Sequence, residues 1–439
     1  MELRLRGGNP RAAGTAALLT AICLLCGCGG GGGGAGSGEG TQTQNPQASP
    51  SSSNSSLPPA VVQAQENKTA VSARLVTADN ALGLDLFKIL DQGSTVNTAI
   101  SPTSIALMLQ IIFNGAAGTT QQAMSQALQL QGLSVADVNS DNAALQAALV
   151  NPDPEIALTI ANSLWMHLSN NAVLPSFTQV NETYYGAEIG DLAGAPDNVN
   201  TWISNETDAL ITNILPPGNY SNDVAVVVNA IYFKGAWTQP FDPNQTAAAP
   251  FTQLDGTSVS CQMMHLTGTF DYFAGATFQA LRMPYGTNSR MSMIILLPDS
   301  SVSLAEFVAS LTSQALNGWV SQLQPMTGGV ALPRFTSTYS ASLPGALSAL
   351  GMGIAFSPND ADFSGIAPGT YLSDIEHKTV VEVDESGTVA AGGASGTVGI
   401  TAAPTSQFQM TMDHPFFYAI RDDDTGALLF IGTVGVPGQ

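Results

Sequence analysis

The sequence predicts an α+β protein, and three observations carry that expectation. Three runs, Val224–Phe233, Met291–Leu297 and Gly426–Val434, are near-continuous stretches of β-branched and aliphatic residues, the pattern of strands buried on both faces. Apolar residues also recur at helical spacing, most densely from Ser101 to Ala116. The two kinds of segment follow one another without a regular βαβ beat, which points to α+β.

Taken in order, Leu82, Leu86, Phe87 and Leu90 give residues 75–92 a helical stripe. Thr95–Ile100 reads as a strand. Ser101-Pro102 then starts a helix with proline in its first turn. That helix is apolar nearly all round and is expected to be buried. Gly115 and Gly118 mark its end, and Thr119 is expected to cap the next helix. Leu158–His167 reads as a strand, and Val199–Leu215 and Leu304–Leu323 as helices. The turn at Asp422–Gly426 leads into the last buried strand.

The 439 residues are 44% hydrophobic and only 10% charged, with 33 acidic against 12 basic side chains and a net charge of -21. Such a balance argues against nucleic acid and against electrostatic docking on anionic lipid. The cysteines are Cys23, Cys26, Cys28 and Cys261. Three lie at the N-terminus, so no disulfide framework can form in the body, and Cys261 is expected to be a small buried hydrophobe. His167, His265, His377 and His414 lack metal-ligand spacing, so no metal and no cofactor are expected. No G-x-S-x-G elbow and no H-E-x-x-H is present, and an enzyme is not expected.

Arg4, Arg6 and Arg11 precede the apolar run Ala12–Cys26, which has signal-peptide proportions. The run ends Leu25-Cys26-Gly27-Cys28, which resembles the bacterial lipobox. That resemblance implies cleavage after residue 27 and lipidation of Cys28. Six glycines, Gly29–Gly34, then open a stretch of small and polar residues that cannot offset the cost of ordering its backbone. The expected organisation is a signal peptide over 1–27, a flexible tether over 28–72 and a folded domain over 73–439. The domain would hang from a membrane of the cell envelope, the outer membrane if the cell has two, and touch lipid only through its anchor.

Several motifs point together. They are Asn229-Ala-Ile-Tyr-Phe-Lys-Gly-Ala-Trp237, Ala361-Asp-Phe-Ser-Gly-Ile366, His377-Lys378 with Glu382–Thr388, and Met410-Thr-Met-Asp-His-Pro-Phe-Phe-Tyr418. With the Ser-Pro segment at Asn97–Gly118, they resemble the serpin family in content and order over about residues 75–437. The resemblance implies three β-sheets, about nine helices and an exposed reactive-centre loop near the C-terminus. It also implies a monomer and a suicide substrate. A target serine protease cleaves the loop, forms an acyl-enzyme, and is trapped as the loop enters the central sheet as a new strand. Ser101, Ser104, Asn229 and His377 match the family's shutter, the polar cluster beneath the opening sheet, and Trp237 matches its breach.

The loop, about residues 385–407, passes a physical test for insertion. Residues 386–403 hold neither proline nor charge, and Gly, Ala and Ser side chains incur little desolvation cost in a sheet. The family pattern places the hinge at Glu385, Gly387, Thr388, Ala390, Ala391, Gly392 and Gly393, and the scissile bond at Thr401-Ala402. Small and aliphatic residues there imply an elastase-like or subtilisin-like target, with a cysteine protease as a further option. The alternative is a non-inhibitory serpin acting as a binding or chaperone-like envelope protein. The small, neutral hinge disfavours it, because non-inhibitory relatives often carry charge or bulk there.

Overall fold

A helix buried on every side organises the fold. The structure, a computed structural model, describes residues 57–169, 172–388 and 407–438. The expected signal peptide, Cys28, the tether up to residue 56, Ala390, Ala391, Gly392, Gly393, Thr401 and Ala402 lie outside the described residues. The chain opens with helices α1 (Pro59–Glu66) and α2 (Ala73–Asp91) and the short strand β1 (Ala99–Ile100). Helix α3 (Pro102–Phe113) follows, and all of its residues are buried. Ser101 Oγ caps it by accepting the Ser104 N–H at 3.2 Å. Next come α4 (Gly118–Ala127), α5 (Val135–Leu149), β2 (Ile156–Met166), α6 (Pro175–Tyr184), β3 (Glu188–Asp191) and α7 (Asp197–Glu206). The strands β4 (Ala225–Ala236), β5 (Ala247–Thr252), β6 (Ser258–Ala274), β7 (Phe278–Tyr285) and β8 (Met291–Pro298) lead to α8 (Leu304–Ser310) and α9 (Ser313–Val320). Strands β9 (Gln324–Pro333) and β10 (Phe335–Ser342), α10 (Pro344–Leu347), β11 (Asp374–Val383) and β12 (Gly387–Thr388) come next. The chain closes with β13 (Phe408–Thr411), β14 (Phe416–Asp422) and β15 (Leu428–Val434).

Two hydrogen-bonded sheets result. The six-stranded one runs β10-β11-β12-β4-β2-β3, with β11 also pairing β4 directly. The nine-stranded one runs β1-β15-β14-β8-β7-β6-β9-β13, with β5 on β6. Three sheets were expected; two of them are continuous here because the 17-residue β6 serves both. Its first residues pair β5, its middle pairs β9, and its end, Asp271–Ala274, pairs β7. Residues of α2 and α3 bury their apolar sides against Ile294, Leu296, Phe417 and Ile431 of the nine-stranded sheet and Val227 of the six-stranded one.

Four local expectations need correction. Residues 59–66 were expected to be tether but form α1, whose Val61 and Ala64 are buried with Ala143 and Ala147 of α5. This small contact is tertiary and leaves no periodic signature. Thr119 does not cap α4; the cap position is Ala117, and Thr120 Oγ1 instead accepts the Asp362 N–H at 2.9 Å. The helix expected to reach Leu215 stops at Glu206, because Asp208 and Ala209 turn back with φ of 49° and 61°. Leu304–Leu323 is two helices, since Thr312 Oγ1 accepts the Ala315 N–H at 3.0 Å and starts a second one.

A buried polar chain also ties the helices. Gln110 of α3 donates to Asp79 of α2 at 2.7 Å and accepts from Asn142 of α5 at 2.8 Å. Burial pushes the Asp79 carboxyl up to about 8, against the pull of the Gln110 hydrogen bond. Among the described residues, no helix is long and apolar enough to cross a membrane.

Candidate functional site

The seam between β4 and β11 is the candidate site. The two strands run parallel and pair from Asp374↔Val226 to Thr379↔Ile231. Above that point they separate and admit β12. Gly387 pairs Ala236, and Thr388 pairs both Gly235 of β4 and Val383 of β11. The first residues of the expected hinge therefore already sit as a strand within the sheet.

Close approach dictates the residue at 387. A Cβ there would stand 2.0 Å from the Gly235 carbonyl oxygen, which only glycine avoids. Thr388 is fully buried, and its Oγ1 lies 2.6 Å from the Tyr285 hydroxyl. The Tyr285 ring stacks on Trp237 at 4.3 Å and 11°. Trp237 Nε1 donates to the Asp384 carbonyl at 3.0 Å, and its backbone N–H donates to the Ser386 carbonyl at 2.9 Å. The expected breach tryptophan is thus in direct contact with the hinge backbone.

Glu385 stands at the rim, with Arg334 Nη2 and Nε donating to its Oε1 at 2.5 and 2.8 Å. The Thr246 hydroxyl donates to the same oxygen. Burial alone would raise this carboxyl; the hydrogen bonds from Arg334 and Thr246 outweigh it and hold the group below the usual range.

Lower on the seam, the other expected residues come together. His377 of β11 and Asn229 of β4 face one another in register. The His377 Nδ1–H donates to Asn229 Oδ1 at 2.6 Å, and Nε2 accepts the Ser101 N–H at 3.2 Å. This pair of bonds requires the neutral ring, and burial pushes its pKa down to about 3. Asn229 Nδ2 donates to Ser104 Oγ and to Asn162 Oδ1, each at 2.6 Å. All four residues named for this cluster are fully buried, and the capped start of α3 holds two of them under the seam.

Sequence reasoning did not single out Asn162, Tyr285, Arg334 or Thr246. Asn162 had a signal, since a polar residue inside a strand destined for burial needs a partner. The other three come from strands or turns far from the hinge in sequence. The Asp422–Asp424 turn is held by ion pairs. Arg290 binds the fully buried Asp422, and Arg282 and Arg421 bind Asp423.

The far end of the chain segment begun at Thr388 is fixed on the other sheet. Gln407 donates its N–H to the Thr327 carbonyl at 2.7 Å, and β13 pairs β9 in parallel. The Phe408 ring stacks on Tyr272 at 4.0 Å, where a Cβ on Gly328 would lie 2.3 Å from it. Among the described residues there is no group of His, Cys, Asp and Glu that could hold a metal ion.

Comparison with known proteins bears on this arrangement. The family model for serpins (serine protease inhibitors) matches residues 77–437. The leukocyte elastase inhibitor of Equus caballus is 33% identical over 382 residues, covering 83% of this chain and all of that protein. Serpin B8 of Bos taurus is 33% identical over 377 residues, covering 83% and 99%. The solved structure of a thermophilic serpin, tengpin, in its native state superposes with a TM-score of 0.77 at 29% identity, covering 84% and 95%.

Proposed function

Because the chain belongs to the serpin family, we propose that it inhibits serine endopeptidases as a suicide substrate. The observation that carries this reading is the seated hinge: Gly387 and Thr388 lie between β4 and β11 with a small, buried side chain pointing into the protein. A sheet that accepts the first hinge residues supports entry of those behind them, which are small or β-branched and carry no charge.

The expected chemistry is acyl transfer stopped halfway. The target's serine attacks the Thr401 carbonyl, the Ala402 amine leaves, and an ester links Thr401 to the protease. Residues 388–401 then extend the new strand. At ~3.3 Å per residue it spans roughly 46 Å, which carries the ester-linked protease far from the released Ala402 end. Deacylation needs sub-ångström placement of water and oxyanion hole, so distortion of the target leaves the ester intact. The inhibitor contributes no catalytic residue.

Ile400, Thr401 and Ala402 favour proteases with small or aliphatic specificity, elastase-like or subtilisin-like. Relatives named as leukocyte elastase inhibitors support that choice. The protein acts as a lipid-anchored monomer in the cell envelope, held at Cys28; Cys28→Ser should release it from membranes. The deciding experiment mixes the folded domain with pancreatic elastase or subtilisin and separates the products on a denaturing gel. A covalent band at the summed mass is expected. Cleavage without that band, and without a gain in thermal stability of the cleaved chain, would overturn the proposal.

A further inference from the structure

We propose that Tyr285 is a positioning residue whose hydroxyl latches Thr388 into the sheet before any protease arrives. The inference deepens the inhibitor reading and rests on it for its functional consequence. Tyr285 belongs to β7 of the nine-stranded sheet, yet its hydroxyl reaches Thr388 Oγ1 at 2.6 Å in the head of the six-stranded sheet. Both side chains are fully buried. Its ring is immobilised by stacking on Trp237 and by an edge contact with Phe233 at 5.1 Å. The hydroxyl is therefore a fixed partner, and the hinge moves to meet it.

The energetics follow from pairing. Seated, the two hydroxyls satisfy one another. With only one present, a buried polar group is left unpaired, and the hinge gains by swinging out to water. With neither present, the seated hinge is again free of that penalty. The latch thus seats the first residue of the new strand before cleavage. Insertion starts from an existing nucleus, and the race between insertion and deacylation shifts towards trapping.

The test uses Tyr285→Phe, Thr388→Val and the double variant in the otherwise intact protein. Hydrogen exchange of the peptide spanning Val383–Thr388 reports whether the hinge is seated. Each single variant should exchange on the order of tenfold faster than wild type, and the double variant should return towards wild type. Moles of inhibitor consumed per mole of elastase trapped should rise several-fold in each single variant and fall again in the double. A purely space-filling role for Tyr285 predicts no rescue by Thr388→Val, so failure of rescue overturns the latch. Should Tyr285→Phe not fold, Thr388→Val alone must still raise exchange, and unchanged exchange overturns the proposal. The exchange pattern without covalent complexes in wild type leaves the latch standing and removes the inhibitor reading. Complexes without the exchange pattern remove the latch alone.

Discussion

Arg334 and Glu385 close on one another across the rim of the six-stranded sheet, Nη2 to Oε1 at 2.5 Å, and the carboxylate is 7% exposed while the arginine is 45% exposed. The carboxylate is thus the dependent partner: it is shielded from water and relies on Arg334 and Thr246. Arg334→Ala should cost about 1–2 kcal/mol in the uncleaved protein, the lower part of the range for charged hydrogen bonds because the guanidinium is partly screened. Glu385 has its folded pKa depressed. Its contribution is therefore present above the ordinary carboxylate range and is lost as pH falls through the folded value. Thermal denaturation should show a gap between wild type and variant at neutral pH that closes in acid. A gap that widens in acid would contradict this assignment.

His377 gives a second pH dependence. Burial pushes His377 down to about 3, whereas an unfolded histidine titrates near ~6.5. The unfolded chain therefore binds the extra proton first. Stability from the neutral ring is whole above ~6.5 and drains as pH falls towards 3, by at most about 1.4 kcal/mol per pH unit. Denaturant unfolding of wild type and His377→Gln between pH 7 and pH 4.5 should give a shallower acid loss in the variant. Parallel curves would show that the ring is not the titrating group.

How far this site could be foreseen depends on whether a residue's partner lies nearby in sequence or only in space. The helix start at Ser101-Pro102 is legible in the sequence itself, whereas Ser101, Ser104 and Asn229 are picked out as site residues by the family resemblance. The hinge positions follow from the family resemblance, and composition adds only that residues 386–403 hold neither proline nor charge. Tyr285 and Arg334 are legible in neither way, since each sits in an ordinary strand or turn and meets the hinge only after the sheets are assembled. The same holds for the elements: β4, β8 and β15 emerge from their apolar runs. The breaks at Asp208 and Thr312 depend on single backbone and side-chain bonds that periodicity averages away.

Asp79 offers a test of the helical layer. Its folded pKa of about 8 lies above the unfolded carboxylate value of ~3.9. The folded state holds a proton that the unfolded chain gives up, so wild-type stability falls as pH rises from ~4 to about 8. Asp79→Asn keeps an acceptor for Gln110 and has no proton to lose. The variant should gain on wild type by at most about 1.4 kcal/mol per pH unit over that window, and the gain should level off above it. Melting temperatures at pH 5, 7 and 8.5 would check it; an advantage independent of pH would point to packing instead.

Thr388→Arg addresses the whole proposal. Thr388 is fully buried, paired between Gly235 and Val383. An arginine there must either bury an unpaired charge or keep the hinge outside. The uncleaved protein can take the second course and fold. After cleavage the same exclusion blocks insertion at its first residue, so the acyl-enzyme hydrolyses before the protease is moved. The variant should be cut by elastase at the same bond and form no covalent complex, and its cleaved form should lack the thermal stabilisation of cleaved wild type. Thr388→Ser, which keeps the hydroxyl and the small volume, should still trap the protease. Undiminished covalent complex from Thr388→Arg would mean that trapping does not pass through the β4–β11 seam.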